Sequence, residues 1–129
     1  MSEPAAPPAR EAMLRTIAMP ADTNPHGDVF GGWLLGQMDL AGGSYAKYAA
    51  RGRVATVGIE AMSFHRPVYV GDQISCYCDT VRIGSTSISV HVETWVRRFG
   101  DGSQVKVTEG VFTFVALDAE GRKRPIPRD

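Results

Sequence analysis

The sequence predicts an α+β domain in which one long helix is wrapped by an antiparallel sheet of five to six strands. Two observations carry this. From Phe30 to Arg51, apolar residues fall at Leu34, Met38, Ala41, Tyr45 and Ala49, the recurrence of a helix face. After Gly52 the spacing changes to period two. It is clearest from Thr86 to Arg97, where Thr86, Ile88, Val90, Val92, Thr94 and Val96 share one face and Ser87, Ser89, His91, Glu93, Trp95 and Arg97 the other. Alternation over that length indicates a half-buried antiparallel strand. One helix and one sheet bury their apolar faces by packing as two layers.

The elements follow in order. Met13 to Met19 reads as a short strand closed by Pro20. Residues 20–29, PADTNPHGDV, are rich in turn formers and read as a loop. The helix then runs to Arg51, and Gly52 ends it. It is apolar around much of its circumference, which predicts that it is enclosed. Arg53 to His65 alternates loosely, and Pro67 and Val70-Gly71-Asp72 interrupt the pattern. Gln73 to Ile83 is a strand ended by Gly84, Gly100-Asp101-Gly102 is a hairpin signal, and Gln104 to Leu117 is the last strand before a basic tail, Gly121 to Asp129. The order is β-α-β-β-β-β without internal repeat or linker. Residues 1–11, Pro/Ala-rich, are expected to be a disordered leader, with 12–129 a single domain. An open sheet leaves edges that need pairing, so a homodimer joined through sheet edges is expected.

Composition narrows the function classes. Fourteen basic and fourteen acidic residues among 129 cancel to zero net charge, which argues against a broad nucleic-acid surface. No apolar run approaches the ~20 residues that span a bilayer, and Met1 to Arg10 lacks the apolar core of a secretory signal. A cytoplasmic protein acting without membrane or nucleic acid is expected. The two cysteines, Cys76 and Cys78, would lie on one face of a strand roughly 6.6 Å apart, at ~3.3 Å per residue. Side chains running parallel at that spacing suit buried free thiols better than a disulfide. They lack the further ligands of a metal site, and no metal is expected.

Asp39 is the most informative residue. It stands mid-helix between Met38 and Leu40, where a carboxylate is costly without partners or a task. Leu35, Asp39, Gly42, Gly43 and Ala46 fall on adjacent i+3 and i+4 positions. Glycine mid-helix costs ~1 kcal/mol relative to alanine, so Gly42 and Gly43 predict a close approach by a neighbouring subunit or a substrate. Gly31-Gly32 opens the same helix, either as a tight turn or as free N–H groups able to polarise a carbonyl. Asn24, in the preceding loop, reads by itself as a turn former. Ser44 and the cysteines are poor nucleophile candidates, because no Gly-x-Ser-x-Gly elbow is present.

These residues meet a known pattern. LRTIAMPADTNPHGDVFGGWLLGQMDLAGG, GRVATVGIEAMSFHRPVYVGD, VRIGSTSISVHVETWV and VTEGVFTFVALDAEGRKRPIP together resemble the YciA-type acyl-CoA thioesterases of the hotdog-fold family over Leu14 to Pro127. The block N-x-x-G-D-V-F-G-G-x5-M-D is the most specific part. The resemblance implies that Asp39 is the catalytic carboxylate, as general base on water or as nucleophile on the thioester. It implies that Asn24 works with it across a subunit interface, that Gly31 and Gly32 form the oxyanion hole, and that dimers assemble into hexamers, trimers of dimers. Acyl-CoA is then the substrate, coenzyme A a product, and no separate cofactor is needed. Phosphates favour basic groups and free backbone donors, which nominates Arg66, the loop Gly84, Ser85, Thr86 and Ser87, and the tail residues Arg122, Lys123 and Arg124 for coenzyme A. The tail reads equally as a solvated charge run. Two rivals remain: a hotdog acyl-CoA hydratase, for which Asp22-Thr23-Asn24-Pro25-His26 is one residue too short between Pro and His, and a non-catalytic acyl-CoA sensor.

Overall fold

A computed structural model describes residues 6–128. Strands β1 (Leu14–Ile17), β2 (Val54–Phe64), β3 (Gln73–Ile83), β4 (Ser87–Arg97) and β5 (Gln104–Ala116) form one antiparallel sheet, and α1 (Gly31–Ala50) lies across it. The strand order is β1-β3-β4-β5-β2. The strands that flank α1 in sequence thus lie on opposite edges, and the helix must cross the sheet to join them. The core forms where it crosses: Met38, Ala41 and Ala46 pack with Ile74, Val90, Val92 and Phe112, all essentially inaccessible.

The period-two reading of β4 holds, since Ile88, Val90, Val92, Thr94 and Val96 are all buried. The loose alternation of β2 has a mechanical origin. Its pairing with β5 shifts register between Thr56 and Gly58 and again between Glu60 and Ser63, with Ala61 at φ 54. Each extra residue reverses which face the following side chains take. Gly71, at φ 90, makes the expected turn before β3. At the end of α1 the left-handed position is taken by Arg51 as well as by the expected stop, Gly52: φ is 56 and 153, and Gly52 N–H closes the last turn on Lys47 O at 3.0 Å.

Two expectations are corrected. A single chain does not enclose the helix: Leu34, Met38, Ala41, Gly42, Ala46 and Ala50 face the sheet, while Leu40 and Tyr48 on the other flank are 62% and 74% exposed. The close approach at Gly42 is by the chain's own sheet. A Cβ there would stand 3.1 Å from Phe114 Cζ and 3.3 Å from Val92 Cγ2, so glycine lets the helix settle onto β4 and β5.

Of the expected leader, residues 1–5 lie outside the described residues. Arg10, within the same stretch, is held against β3: it pairs with Asp79 at 3.0 and 3.1 Å, donates to Cys78 O and lies over the Tyr77 ring. Cys76 and Cys78 are buried and free. Burial pushes their thiols up, to about 11 for Cys76 and about 12 for Cys78. Among the described residues no helix is long and apolar enough to cross a membrane.

Candidate active site

Asp39 is half-buried on the helix flank that faces β2. Thr56 Oγ1, at the start of β2, donates a hydrogen bond to its Oδ1 at 2.7 Å. The carboxylate opens into a cleft of about 560 Å³ between α1 and β2, whose lining includes Asp39, Gly43, Lys47, Arg53, Thr56 and Phe114. Gly43, one turn after Asp39, leaves space beside the carboxylate; its backbone rests on Phe114, with a Cβ position 3.6 Å from the ring. Lys47 and Arg53 place two cations at the same cleft, which suits an anionic ligand. Ser44 also lines it, but no histidine does, so a serine nucleophile would lack its base.

The other expected residues fall into two groups at opposite ends of the sheet. Gly31 lies beside Phe64, at the far end of β2. Gly31 and Gly32 precede the first helical hydrogen bonds, which Trp33 and Leu34 donate to Phe30 O. Asn24 is a turn former within the chain: its Oδ1 accepts from His26 N and Asp28 N at 2.9 and 3.1 Å, which leaves its amide N–H groups as the donor face. Arg66 is at this end too, and donates to Lys106 O at 3.0 Å.

The Gly84 to Ser87 loop and the tail sit at the Arg53 end and hold each other. From the tail, Ile126 N–H donates to Ser85 O and Arg128 to Gly84 O, while Ala116 N–H at the end of β5 donates to Thr86 O. Arg122 and Lys123 are exposed. Arg124 does structural work: its guanidinium donates to Leu117 O at 2.9 Å and Arg53 O at 3.5 Å, tying the tail to the start of β2. Arg66 donates to Lys106 O in β5 and Arg124 to Leu117 O just past its end, eleven residues or roughly 35 Å apart at ~3.3 Å per residue. One chain therefore cannot bring Arg66 and the tail to one phosphate group.

Thr56, Lys47 and Arg53 were not singled out from the sequence. Lys47 follows Asp39 by two turns and was accessible to periodicity; Thr56 depends on the register of a bulged strand and was not. On the opposite sheet face, Asp79, His91 and Glu93 converge within 4.8 Å. That grouping arises from strand pairing, and each member is engaged, by Arg10, Glu109 and Trp95 Nε1 respectively.

A single helix laid across a five-stranded antiparallel sheet, with a carboxylate in the cleft between helix and edge strand, defines a hotdog thioesterase. The chain belongs to the thioesterase superfamily, whose family model matches residues 26–98. It is 51% identical to the acyl-CoA thioester hydrolase YciA of Salmonella typhimurium over 123 residues, 93% of this chain and 92% of that one. Among solved structures it is similar to the hexameric thioesterase y2039 from Yersinia pestis, with TM-score 0.89 and 48% identity over 95% of this chain and 99% of that one. It is also similar to HI0827, a hexameric broad-specificity acyl-coenzyme A thioesterase in which an aspartate has been replaced by alanine, with TM-score 0.88 and 48% identity over 92% of this chain and 87% of that one.

Proposed function

We infer that this protein hydrolyses the thioester of acyl-coenzyme A, releasing a fatty acid and coenzyme A, in the cytoplasm and without a further cofactor. The observation that carries the reading is Asp39, oriented by Thr56 in a cleft that also holds Lys47 and Arg53. The carboxylate delivers the attack, by taking a proton from water or by adding to the carbonyl itself.

The active unit is a dimer. Gly31 and Gly32 precede Asp39 by eight and seven residues, about 10–12 Å along the axis at ~1.5 Å per residue. A tetrahedral intermediate needs its oxyanion donors and its attacking group around one carbon, within about 3 Å each. One chain does not meet that requirement, and a two-fold copy would supply the second half. β2 is an unpaired edge carrying Val57, Ile59 and Phe64, 61%, 40% and 58% exposed, and unpaired apolar edges invite a second strand. An antiparallel pairing about the middle of β2, near Ile59, sets Thr56 of one protomer opposite the partner's Met62. The partner's Phe64 and Gly31 follow within a few residues. Asp39 and Thr56 would then come from one chain, and Gly31, Gly32 and Asn24 from the other. The same pairing moves the partner's Arg66 toward Arg53, Arg122 and Lys123, where the coenzyme A phosphates would lie with the Gly84 to Ser87 loop. Three such dimers form a hexamer, a reading that the hexameric relatives y2039 and HI0827 support.

Release of free thiol from acyl-CoA, followed with a thiol-reactive dye, tests the activity. Asp39→Asn keeps the shape but removes the base, a contribution of ~10²–10⁴-fold. Activity within a few-fold of wild type in that variant would overturn the assignment. An enoyl-CoA that changes absorbance without thiol release would instead favour the hydratase.

A further inference from the structure

The second register shift of β2 places one particular side chain. Glu60 pairs with Val111 and Ser63 with Glu109, so Ala61 and Met62 together stand against Gly110 alone. That is a β-bulge, a device that re-aims a side chain and often lies beside an active site. It is held at a cost. Ala61 is exposed and left-handed, at φ 54, a backbone state that is unfavourable for alanine and persists only where the surroundings enforce it. Among the described residues the other non-glycine residue in that state is Arg51, which ends α1; Ala61 lies within a strand.

What the bulge achieves is the position of Met62. The side chain is half-buried and packs on the core. It fills the space that a side chain at Gly110 would take: a Cβ there would overlap Met62 Sδ and stand 3.2 Å from its Cγ. Gly110 pairs with Val92, which meets Gly42 of α1, so Met62 lies on the helix side of the sheet, the side that carries Asp39 and its cleft. The group over the glycine is the far end of an unbranched, flexible side chain, of the kind that adapts to irregular space. A bulge, a left-handed alanine and a missing Cβ thus converge on one thioether that can move in its seat.

We propose that the partner's Met62 is the adjustable wall of the acyl pocket and sets which chain lengths are hydrolysed. The inference rests on the hydrolase and the β2 pairing inferred above. That pairing sets the partner's Met62 opposite Thr56, and directly opposed residues have Cβ atoms about 4.5–5.5 Å apart. Thr56 Oγ1 is 2.7 Å from Asp39 Oδ1, so the thioether stands beside the attacking carboxylate. The direction of the acyl chain follows from charge. Lys47 and Arg53 line the cleft beyond Asp39 and draw the coenzyme A phosphates to that end. The acyl chain then leaves the carbonyl the other way, toward the two-fold axis and Ile59, which pairs with Phe112 on the helix side. The partner's Met62 is the first apolar group on that path. A stiff β-branched residue would fix one pocket depth; a methionine seated on glycine yields to chains of different length.

Thiol release from a series of straight-chain acyl-CoAs, butyryl to palmitoyl, tests this, with thermal melts as the folding control. Met62→Ala removes the wall and should raise the ratio of kcat/KM for palmitoyl-CoA over butyryl-CoA by about tenfold or more, since one methylene of pocket space discriminates by about 10–200-fold. Gly110→Ala evicts the thioether from its seat into the pocket and should shift the ratio the other way. The double variant should match Met62→Ala, because no thioether is left to displace. Unchanged ratios in both single variants, a loss uniform across the series, or a Gly110→Ala effect that persists without Met62 would each overturn the proposal. Met62→Ala subunits mixed with an excess of Asp39→Asn subunits should return the ratio to the wild-type value, because each active carboxylate then faces a native Met62 from its partner. A ratio that stays shifted puts Met62 in its own chain's site and overturns the wall across the dimer. A wild type that releases no thiol from any member of the series overturns the hydrolase reading and this one with it.

Discussion

Thr56→Val removes one hydroxyl and leaves the shape of the side chain. The hydroxyl donates to Asp39 Oδ1 at 2.7 Å, a short hydrogen bond to a carboxylate. Hydrogen bonds to charged groups contribute about 1.5–3 kcal/mol, and screening at the exposed Thr56 selects the lower part of that range. At ~1.36 kcal/mol per decade of rate, a loss of about 1.5–2 kcal/mol lowers kcat by roughly 10- to 30-fold. KM should change by less than about twofold, since the bond orients the attacking group and does not hold the substrate. Folding stability should stay within about 0.5 kcal/mol, as for other exposed positions. Thr56→Ser keeps the donor and should retain most activity. The measurement is steady-state thiol release from one acyl-CoA, with a thermal melt as control. A valine variant within threefold of wild-type kcat, or a serine variant as slow as valine, would refute the claim that Thr56 positions Asp39.

Three further outcomes are expected. Inactive Asn24→Ala and Asp39→Asn subunits, mixed under conditions of demonstrated exchange, should recover activity, because one of the two sites in a mixed dimer holds both native residues; no recovery would place the site within one chain. Arg122→Ala/Lys123→Ala should raise KM for acyl-CoA by several-fold and leave KM for acyl-pantetheine unchanged, whereas Arg124→Ala should lower the melting temperature, because that side chain ties the tail to β2. Burial opposes ionisation of Glu109, but hydrogen bonds from Lys106, His65 and His91 outweigh it and hold its carboxyl near 2 against 4.5. Its folded value lies below the unfolded one, so its stabilisation is complete above about pH 4.5 and fades as pH falls toward 2. The gap in melting temperature between wild type and Glu109→Gln should close over that window, and a gap that persists at pH 2 would contradict the network.

The elements were legible because single residues mark them locally. Val90 and Val92 follow from period two, Met38 and Ala41 from helical spacing, and Gly71 and Gly102 from turns that need positive φ. Failures came where one residue answers to two partners. Gly42 signalled a close approach, and the approach is real, but only packing reveals that Phe114 makes it. β2 blurred because two register shifts in eleven residues exchange its faces. Arg124 looked like its neighbours Arg122 and Lys123, and only the fold engages it with backbone carbonyls.

The site was legible as a set of residue types and not as an arrangement. Asp39, Asn24 and the paired glycines stand within sixteen positions of one another, which suggests one constellation. The helix separates them instead, because it sets Asp39 about two turns beyond Gly31 and directs the carboxylate toward Thr56 at the opposite end of β2 from Phe64. The same strand separates Arg66 from the tail. Every such division runs along β2, the edge that would lie on the two-fold axis, so antiparallel pairing reverses each of them at once. On the proposed pairing, a chain whose chemistry is divided along its edge would have no complete site as a monomer, and exposed Val57, Ile59 and Phe64 would make the association that completes the site also the one that buries its edge.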